Sequence, residues 1–246
     1  MRKPLVAILG CGPAGLLAVH ACEIYGVPYT IFSRKQKSVL GGAQFSHRGI
    51  PLIHDSESEP DAMLTYQVEG DAETYERKVY GDSPVPFVSF SNVKDGMEVP
   101  AWNLIKLYDK LWEKYEMKVV DYDLSWLALY RFLGSFDLVI TSVPAPILCE
   151  ATTNPSVTHW FKQQTVRIFN EALNENLPDN TILYDGSDEH SYYRMSRIFG
   201  TGSTEWGASS PLPPLQGIRT INKPIETNCD CNNGALRVGR FGKWEK

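Results

Sequence analysis

Cysteine is scarce in this chain, five residues in 246, and the odd count includes no Cys-x-x-Cys pair. That arithmetic argues against a disulfide framework, and Cys11, Cys22, Cys149, Cys229 and Cys231 read as reduced thiols of a cytoplasmic protein. Cys229-Asp230-Cys231 has neither a histidine nor a second cysteine pair at ligand spacing, so it reads as a loop with two incidental thiols, and no metal site is expected. Long apolar runs are also missing. No stretch reaches the ~18 residues of a membrane span, and the leader-like start Met1-Arg2-Lys3 is broken into short pieces by Gly10, Gly12, Pro13 and Gly15. A soluble protein without a membrane partner follows. Basic runs are absent too: 24 Lys and Arg face 29 Asp and Glu, for a net charge of -5. Non-specific nucleic-acid binding needs many cations on one face and is not expected. The sequence carries no Ser/His/Asp hydrolase elbow, no phosphate-loop lysine, no internal repeat and no low-complexity tract. What remains is a globular composition, 43% hydrophobic and 11% aromatic, enough for one sizeable core or two small ones sharing an interface.

The first third carries the clearest pattern. Leu5 to Leu9 is an unbroken apolar pentad, as in a strand buried on both faces of a parallel sheet. Gly10-Cys-Gly12-Pro13-Ala14-Gly15 then opens a helix to Tyr25, Gly26-Val-Pro28 ends it, and Tyr29 to Phe32 reads as a second strand. Gly10-x-Gly12-x-x-Gly15 in this strand-turn-helix-strand setting is a dinucleotide-binding pattern. Gly10 permits the tight turn, Gly12 lets backbone approach a pyrophosphate, and Gly15 lets helix and strand pack closely. The free N–H groups of the helix start, with Pro13 and Ala14, would face the anion. The second strand ends in Ser33 rather than the usual ribose-binding acid, followed by Arg34 and Lys35. Two cations at that position also suit a 2′-phosphate, so both FAD and NADP remain open as the dinucleotide.

Beyond Ser46 the texture shifts to loops and short alternating segments around Met63–Val68, Glu76–Tyr80 and Pro86–Val93, read as antiparallel strands. Asn103 to Tyr115 returns to helical spacing. Residues 118–122 and 137–141 read as strands, as do 181–184 and 192–199. Trp160 to Leu173 fits neither period cleanly, and the tail from Gly200 is rich in Gly, Pro and Asn.

Four segments resemble, in order, flavoproteins of the glutathione-reductase fold in their amine-oxidase and UDP-galactopyranose-mutase-like branch. They are Gly10–Leu16 followed by Val39-Leu-Gly41-Gly42, then Asp137–Pro146, Tyr184–Ser196, and Val238-Gly239-Arg240-Phe-Gly242. The resemblance implies an α/β fold: a Rossmann-type FAD/NAD(P)-binding domain with a parallel central sheet, plus an inserted α+β substrate region with antiparallel strands. The dinucleotide domain would comprise residues 1–45, 103–148 and 215–246, and the substrate region 46–102 and 149–214. The resemblance also implies roles. Gly10, Gly12 and Gly15 would hold the pyrophosphate, Ser33 and Arg34 (with Lys35) the ribose end, Gly41, Gly42, Ala43 and Gln44 the ribityl and ring edge, and Gly239 and Arg240 the isoalloxazine side. His47 is the candidate proton-transfer group, and Tyr192, Tyr193 and Arg194 are candidates for the substrate pocket. The compact length points to a minimal or virus-encoded version acting in its host's cytoplasm. The functional expectation is an FAD-dependent oxidoreductase that transfers hydride to or from a small polar substrate. The alternatives are an NADP(H)-dependent reductase, a flavin-dependent mutase or lyase, and a non-catalytic dinucleotide-binding module.

Overall fold

A computed structural model describes residues 2–42, 44–81, 93–152, 154–231 and 234–244. The chain forms two compact units, one of Met1–Val39, Lys106–Gln163 and Lys223–Lys246, the other of Leu40–Ile105 and Gln164–Asn222.

The first unit is built on five strands: β1 (Val6–Leu9), β2 (Tyr29–Ser33), β6 (Val119–Asp121), β7 (Leu138–Thr141) and β13 (Ala235–Arg237). They lie in the order β13-β7-β1-β2-β6, and every pair is parallel. All four residues of β1 are buried, as a central strand covered on both faces requires. The Val6, Ile8 and Leu9 side chains each contribute roughly 1.5–3 kcal/mol of apolar burial. Helix α1 (Pro13–Ile24) follows β1 and carries proline in its first turn, where the missing N–H costs nothing. Helix α4 (Trp126–Ser135) starts at Ser125, whose side chain accepts from the Ala128 amide; no sequence expectation covered this helix. Its Leu129 and Phe132 pack with Ala7, Leu9, Val139 and Leu148. Phe32 adds a ring contact 4.4 Å from Phe132.

An eight-stranded sheet runs in the order β12-β8-β11-β10-β9-β4-β5-β3. Its members are β3 (Phe45–Ser46), β4 (Ala62–Gly70), β5 (Glu98–Asn103), β8 (Phe161–Phe169), β9 (Thr181–Gly186), β10 (Arg194–Ile198), β11 (Thr201–Gly207) and β12 (Arg219–Thr227). Antiparallel pairing predominates, with a parallel pair between β4 and β9. The mixed α/β class is therefore as the sequence implied, a parallel sheet accompanied by a largely antiparallel one.

Two local readings are corrected. Glu76–Tyr80 is not a strand but the end of helix α2 (Ala72–Tyr80). Asp71 caps it by accepting from the Thr74 amide at 2.9 Å, Arg77 and Lys78 sit in its last turn, and Tyr75 and Val79, four residues apart, share its buried face. The Gly-rich start of the tail is strand β11, in which Ser203, Thr204 and Glu205 are buried. Polar residues hid this strand: Thr204 Oγ1 donates to the Glu171 carbonyl at 2.8 Å and Glu205 accepts from Tyr193 and Arg194, so partners rather than apolar alternation make the burial of these two tolerable. Segment 161–169, ambiguous by period, is β8, and the expected Pro86–Val93 segment lies outside the described residues except for Val93. No helix among the described residues is long and apolar enough to cross a membrane.

Candidate functional site

Parallel pairing puts the carboxyl ends of β13, β7, β1, β2 and β6 on one edge of the first unit's sheet. The segments that leave this edge include the Gly10–Gly15 bend, Ser33–Lys35 and Gly239–Arg240, so the structure gathers these three predicted groups. In open parallel sheets, ligands bind outside this edge, where the strand order reverses.

Each glycine of the bend meets a different constraint. Gly10 has φ +90°, and a Cβ there would lie 2.7 Å from Ser142 Oγ. A Cβ at Gly15 would lie 2.1 Å from the Gly10 carbonyl oxygen, so only glycine allows this close pass of helix and strand. Gly12, the residue preceding α1, has φ −68° and ψ 176°. That conformation is open to any residue, and a Cβ at Gly12 would meet nothing within 4 Å. Neither backbone geometry nor packing demands glycine there; the space beside it is free. The first N–H groups of α1, those of Ala14 and Gly15, have no intrahelical acceptors, and Pro13 carries none.

The surroundings hold the bend in place. Ser142 Oγ donates toward the Leu9 and Gly10 carbonyls at 3.4 and 3.3 Å. Tyr108, almost fully buried, donates to the Cys11 carbonyl at 3.2 Å and accepts from the Ser38 amide at 2.9 Å. Burial pushes the Cys11 thiol above its ordinary range, partly offset by its contact with Ser33 Oγ at 3.1 Å. Gly239 has φ +71°, and a side chain there would run into Ala14 Cβ at 2.6 Å, which brings the short helix α5 (Gly239–Lys243) against the start of α1. Arg240 donates to the Pro224 carbonyl at 3.1 Å.

The end of β2 carries residues that sequence reading missed. Arg34 is paired with Asp123 at 2.7 Å, both largely exposed. Asp121 stands in register beside Ser33 on β6 and accepts from the Lys35 amide at 3.4 Å. An acid therefore stands beside the end of β2 on the neighbouring strand, a placement visible only once the strands are paired.

In the second unit, a Cβ at Gly41 would meet Ile221 Cδ1 at 2.5 Å, and one at Gly42, with φ +65°, would meet Ser203 Oγ at 2.9 Å. The positive φ favours glycine at 42, and both glycines pack against side chains of their own unit. The Gly42 amide donates to Asn170 Oδ1 at 3.3 Å, and Gln44 Nε2 donates to the Gly41 carbonyl at 2.6 Å. Ala43 lies outside the described residues. Both ring nitrogens of His47 are engaged: Nδ1 faces the Pro100 carbonyl at 3.1 Å and Nε2 the Tyr66 hydroxyl at 3.1 Å. A carbonyl can only accept, so the proton is assigned to Nδ1 and Nε2 receives the Tyr66 hydroxyl.

Tyr192, Tyr193 and Arg194 are committed within this unit. Tyr192 stacks on His190 at 4.8 Å and packs with Leu183, Met195 and Trp206. Tyr193 turns the other way, donating to Glu205 Oε2 at 2.6 Å, and Arg194 pairs with Glu205 Oε1. Burial, with Glu205 beside it, pushes the Tyr193 phenol far up. Burial alone would weaken proton binding by Arg194, but Glu205 and the phenols around it outweigh that and raise it.

No family profile and no curated protein matches the sequence. The fold is similar to that of reduced UDP-galactopyranose mutase, at 12% identity and a TM-score of 0.53, over 100% of this chain and 90% of that one. It is also similar to 2-methyl-3-hydroxypyridine-5-carboxylic acid oxygenase, at 11% identity and a TM-score of 0.50, over 93% of this chain and 72% of that one. At these identities the shared property is the fold.

Proposed function

We propose that the chain is an FAD-dependent oxidoreductase acting on a small polar substrate by hydride transfer. The observation that carries the reading is the free space beside Gly12 at the head of α1, where neither packing nor backbone requires a glycine. A linked pair of phosphates is the ligand that such a bend suits, since its negative charge matches the unpaired amides and the positive end of the helix dipole. The whole-chain likeness to UDP-galactopyranose mutase supports the same reading.

In this assignment Gly12, Ala14 and Gly15 present main-chain amides to the pyrophosphate, with Gly10 and Pro13 setting the bend. Ser33 and Asp121 take the adenosine ribose hydroxyls. Arg34 and Lys35 flank that end, but Arg34 is held by Asp123, and two carboxylates beside β2 disfavour the 2′-phosphate of NADP. Gly239 keeps α5 close to α1, which positions Arg240. His47, held between the Pro100 carbonyl and the Tyr66 hydroxyl, is the proposed proton-transfer group. A bound flavin supplies two-electron exchange with the substrate, while the protein supplies position and electrostatics.

The test is the absorbance of the purified chain and the mass of whatever it releases on denaturation. Yellow protein that releases FAD is expected. Colourless protein that fails to take up FAD on reconstitution overturns the proposal, and release of NADP favours the reductase alternative. The likeness to the mutase favours a second reading, a flavin-dependent mutase. Turnover that needs prior reduction but consumes no oxidant would select it.

A further inference from the structure

Three of the chain's five cysteines come together around a histidine, in the first unit and away from the glycine bend's own residues. The ligand atoms of Cys149, His159, Cys229 and Cys231 all lie within 4.8 Å of one another. Cys149 Sγ is 3.2 Å from His159 Nδ1, Cys231 Sγ is 3.3 Å from the same nitrogen, and the two sulfurs are 3.9 Å apart. A tetrahedral zinc ion, with Zn–S of about 2.3 Å and Zn–N of about 2.0 Å, separates two sulfurs by about 3.8 Å and sulfur from nitrogen by about 3.5 Å. These three distances agree within a few tenths of an ångström. At 3.9 Å the sulfurs are unbonded, since a disulfide requires about 2.05 Å. The cluster is also too tight for several irons, and it suits a single ion.

We propose that Cys149, His159, Cys229 and Cys231 form a Cys3His site for one structural zinc ion. Its four ligands fill a tetrahedron and leave no position for substrate, which marks a structural rather than a catalytic site. Binding would displace the three thiol protons and leave His159 neutral at Nδ1.

The surroundings are those of a metal centre's supporting shell. His159 Nε2, turned away from the sulfurs, lies 3.6 Å from Asp230 Oδ1, and the Glu150 amide points at Cys231 Sγ at 3.4 Å. A carboxylate behind the histidine and an amide donated to a thiolate both orient and tune ligands. The two ligand-bearing loops are tied together independently of any ion. Trp160 N donates to Asn228 Oδ1 at 2.7 Å, and Thr227 Oγ1 donates to the Trp160 carbonyl at 2.7 Å. Arg237 Nη2 donates to the Cys229 carbonyl at 3.0 Å. Zinc would therefore staple loop 149–160 to loop 227–231, next to the strand β13 that leads into the Gly239 segment. The sequence expectation of no metal site is replaced by this proposal; spacing concealed it because Cys149 and Cys231 are 82 residues apart.

The experiment is metal analysis of the full chain, purified under reducing conditions and dialysed, then stripped with chelator and reconstituted with zinc or cobalt(II). One zinc per chain is expected, with cobalt giving the intense visible bands of tetrahedral thiolate coordination. Cys231→Ser and His159→Ala should lose the ion, Cys22→Ala should keep it, and Asp230→Asn should bind it about tenfold more weakly. Folded wild-type protein that takes up neither metal overturns the proposal. So does zinc retained by both ligand variants, or a Cys149–Cys231 disulfide in the freshly purified chain. Should a ligand variant fail to fold, the wild-type cobalt spectrum decides by itself.

Discussion

One added methyl group separates the ligand-binding role of the glycine bend from its packing role. In Gly15→Ala the new Cβ lies 2.1 Å from the Gly10 carbonyl oxygen and 2.7 Å from Ser142 Oγ. Helix and strand must separate, a form of overpacking that costs about 3 kcal/mol. At about 2–4 °C per kcal/mol for a chain of this size, the cofactor-free protein should melt about 6–12 °C lower. In Gly12→Ala the Cβ enters empty space on an already extended backbone. Alanine is a poorer helix cap than glycine by roughly 0.5–1 kcal/mol, whereas restricting the unfolded chain returns about 0.4–1 kcal/mol. The two nearly cancel, and Tm should move by about 2 °C or less. If the bend holds the phosphates as proposed, the same methyl stands in their path. Losing one charge-assisted amide contact, worth about 1.5–3 kcal/mol, weakens FAD binding about 10–100-fold. Thermal melts of the flavin-free proteins and titration with FAD, followed by quenching of its fluorescence, read both quantities. If Gly12→Ala binds FAD as tightly as wild type, the bend is not the phosphate site. If it melts as low as Gly15→Ala, the space beside Gly12 is not open.

Two further substitutions address the frame of each unit. Lys78→Met removes the cation, 2.8 Å away, from Asp185, whose side chain is 0% exposed. Among the described residues it leaves that carboxylate with the Ser187 amide and hydroxyl, so urea unfolding should show a loss of about 3–5 kcal/mol, and an unchanged midpoint would refute the pair's role. On α1, the Lys118 ammonium, aided by Tyr29, Lys114 and Tyr115, holds the Glu23 carboxyl down at about 2 despite the opposing effect of burial. Its folded value lies below its unfolded value of about 4.3, so the stabilisation is present above that value and lost as pH falls toward about 2. The stability gap between wild type and Glu23→Gln should be constant above about pH 5 and close on acidification; a gap independent of pH would contradict this.

The glycine bend was legible because its determinants are local. The buried strand, the three glycines and the following helix are consecutive, and the Gly15 requirement arises within this short unit, against the Gly10 carbonyl, whereas the neighbours of Gly10 itself are the distant Ser142 and Val143. Helix α3 (Leu104–Tyr115) was legible for a similar reason, an apolar stripe of regular period. Helix α2 was misread because a short, highly charged helix declares itself through its Asp71 cap and the spacing of Tyr75 and Val79, not through hydrophobicity.

From the sequence alone came an α/β chain with a glycine bend between its first strand and helix, since strand, turn and helix preferences act over a few residues. Only the tertiary structure put Asp121 beside Ser33, turned the Gly41-Gly42 doublet against Ile221 and Ser203, and drew Cys149, His159, Cys229 and Cys231 into one cluster. These depend on which strands pair and where loops meet, and contacts between residues tens of positions apart leave no periodic trace along the chain.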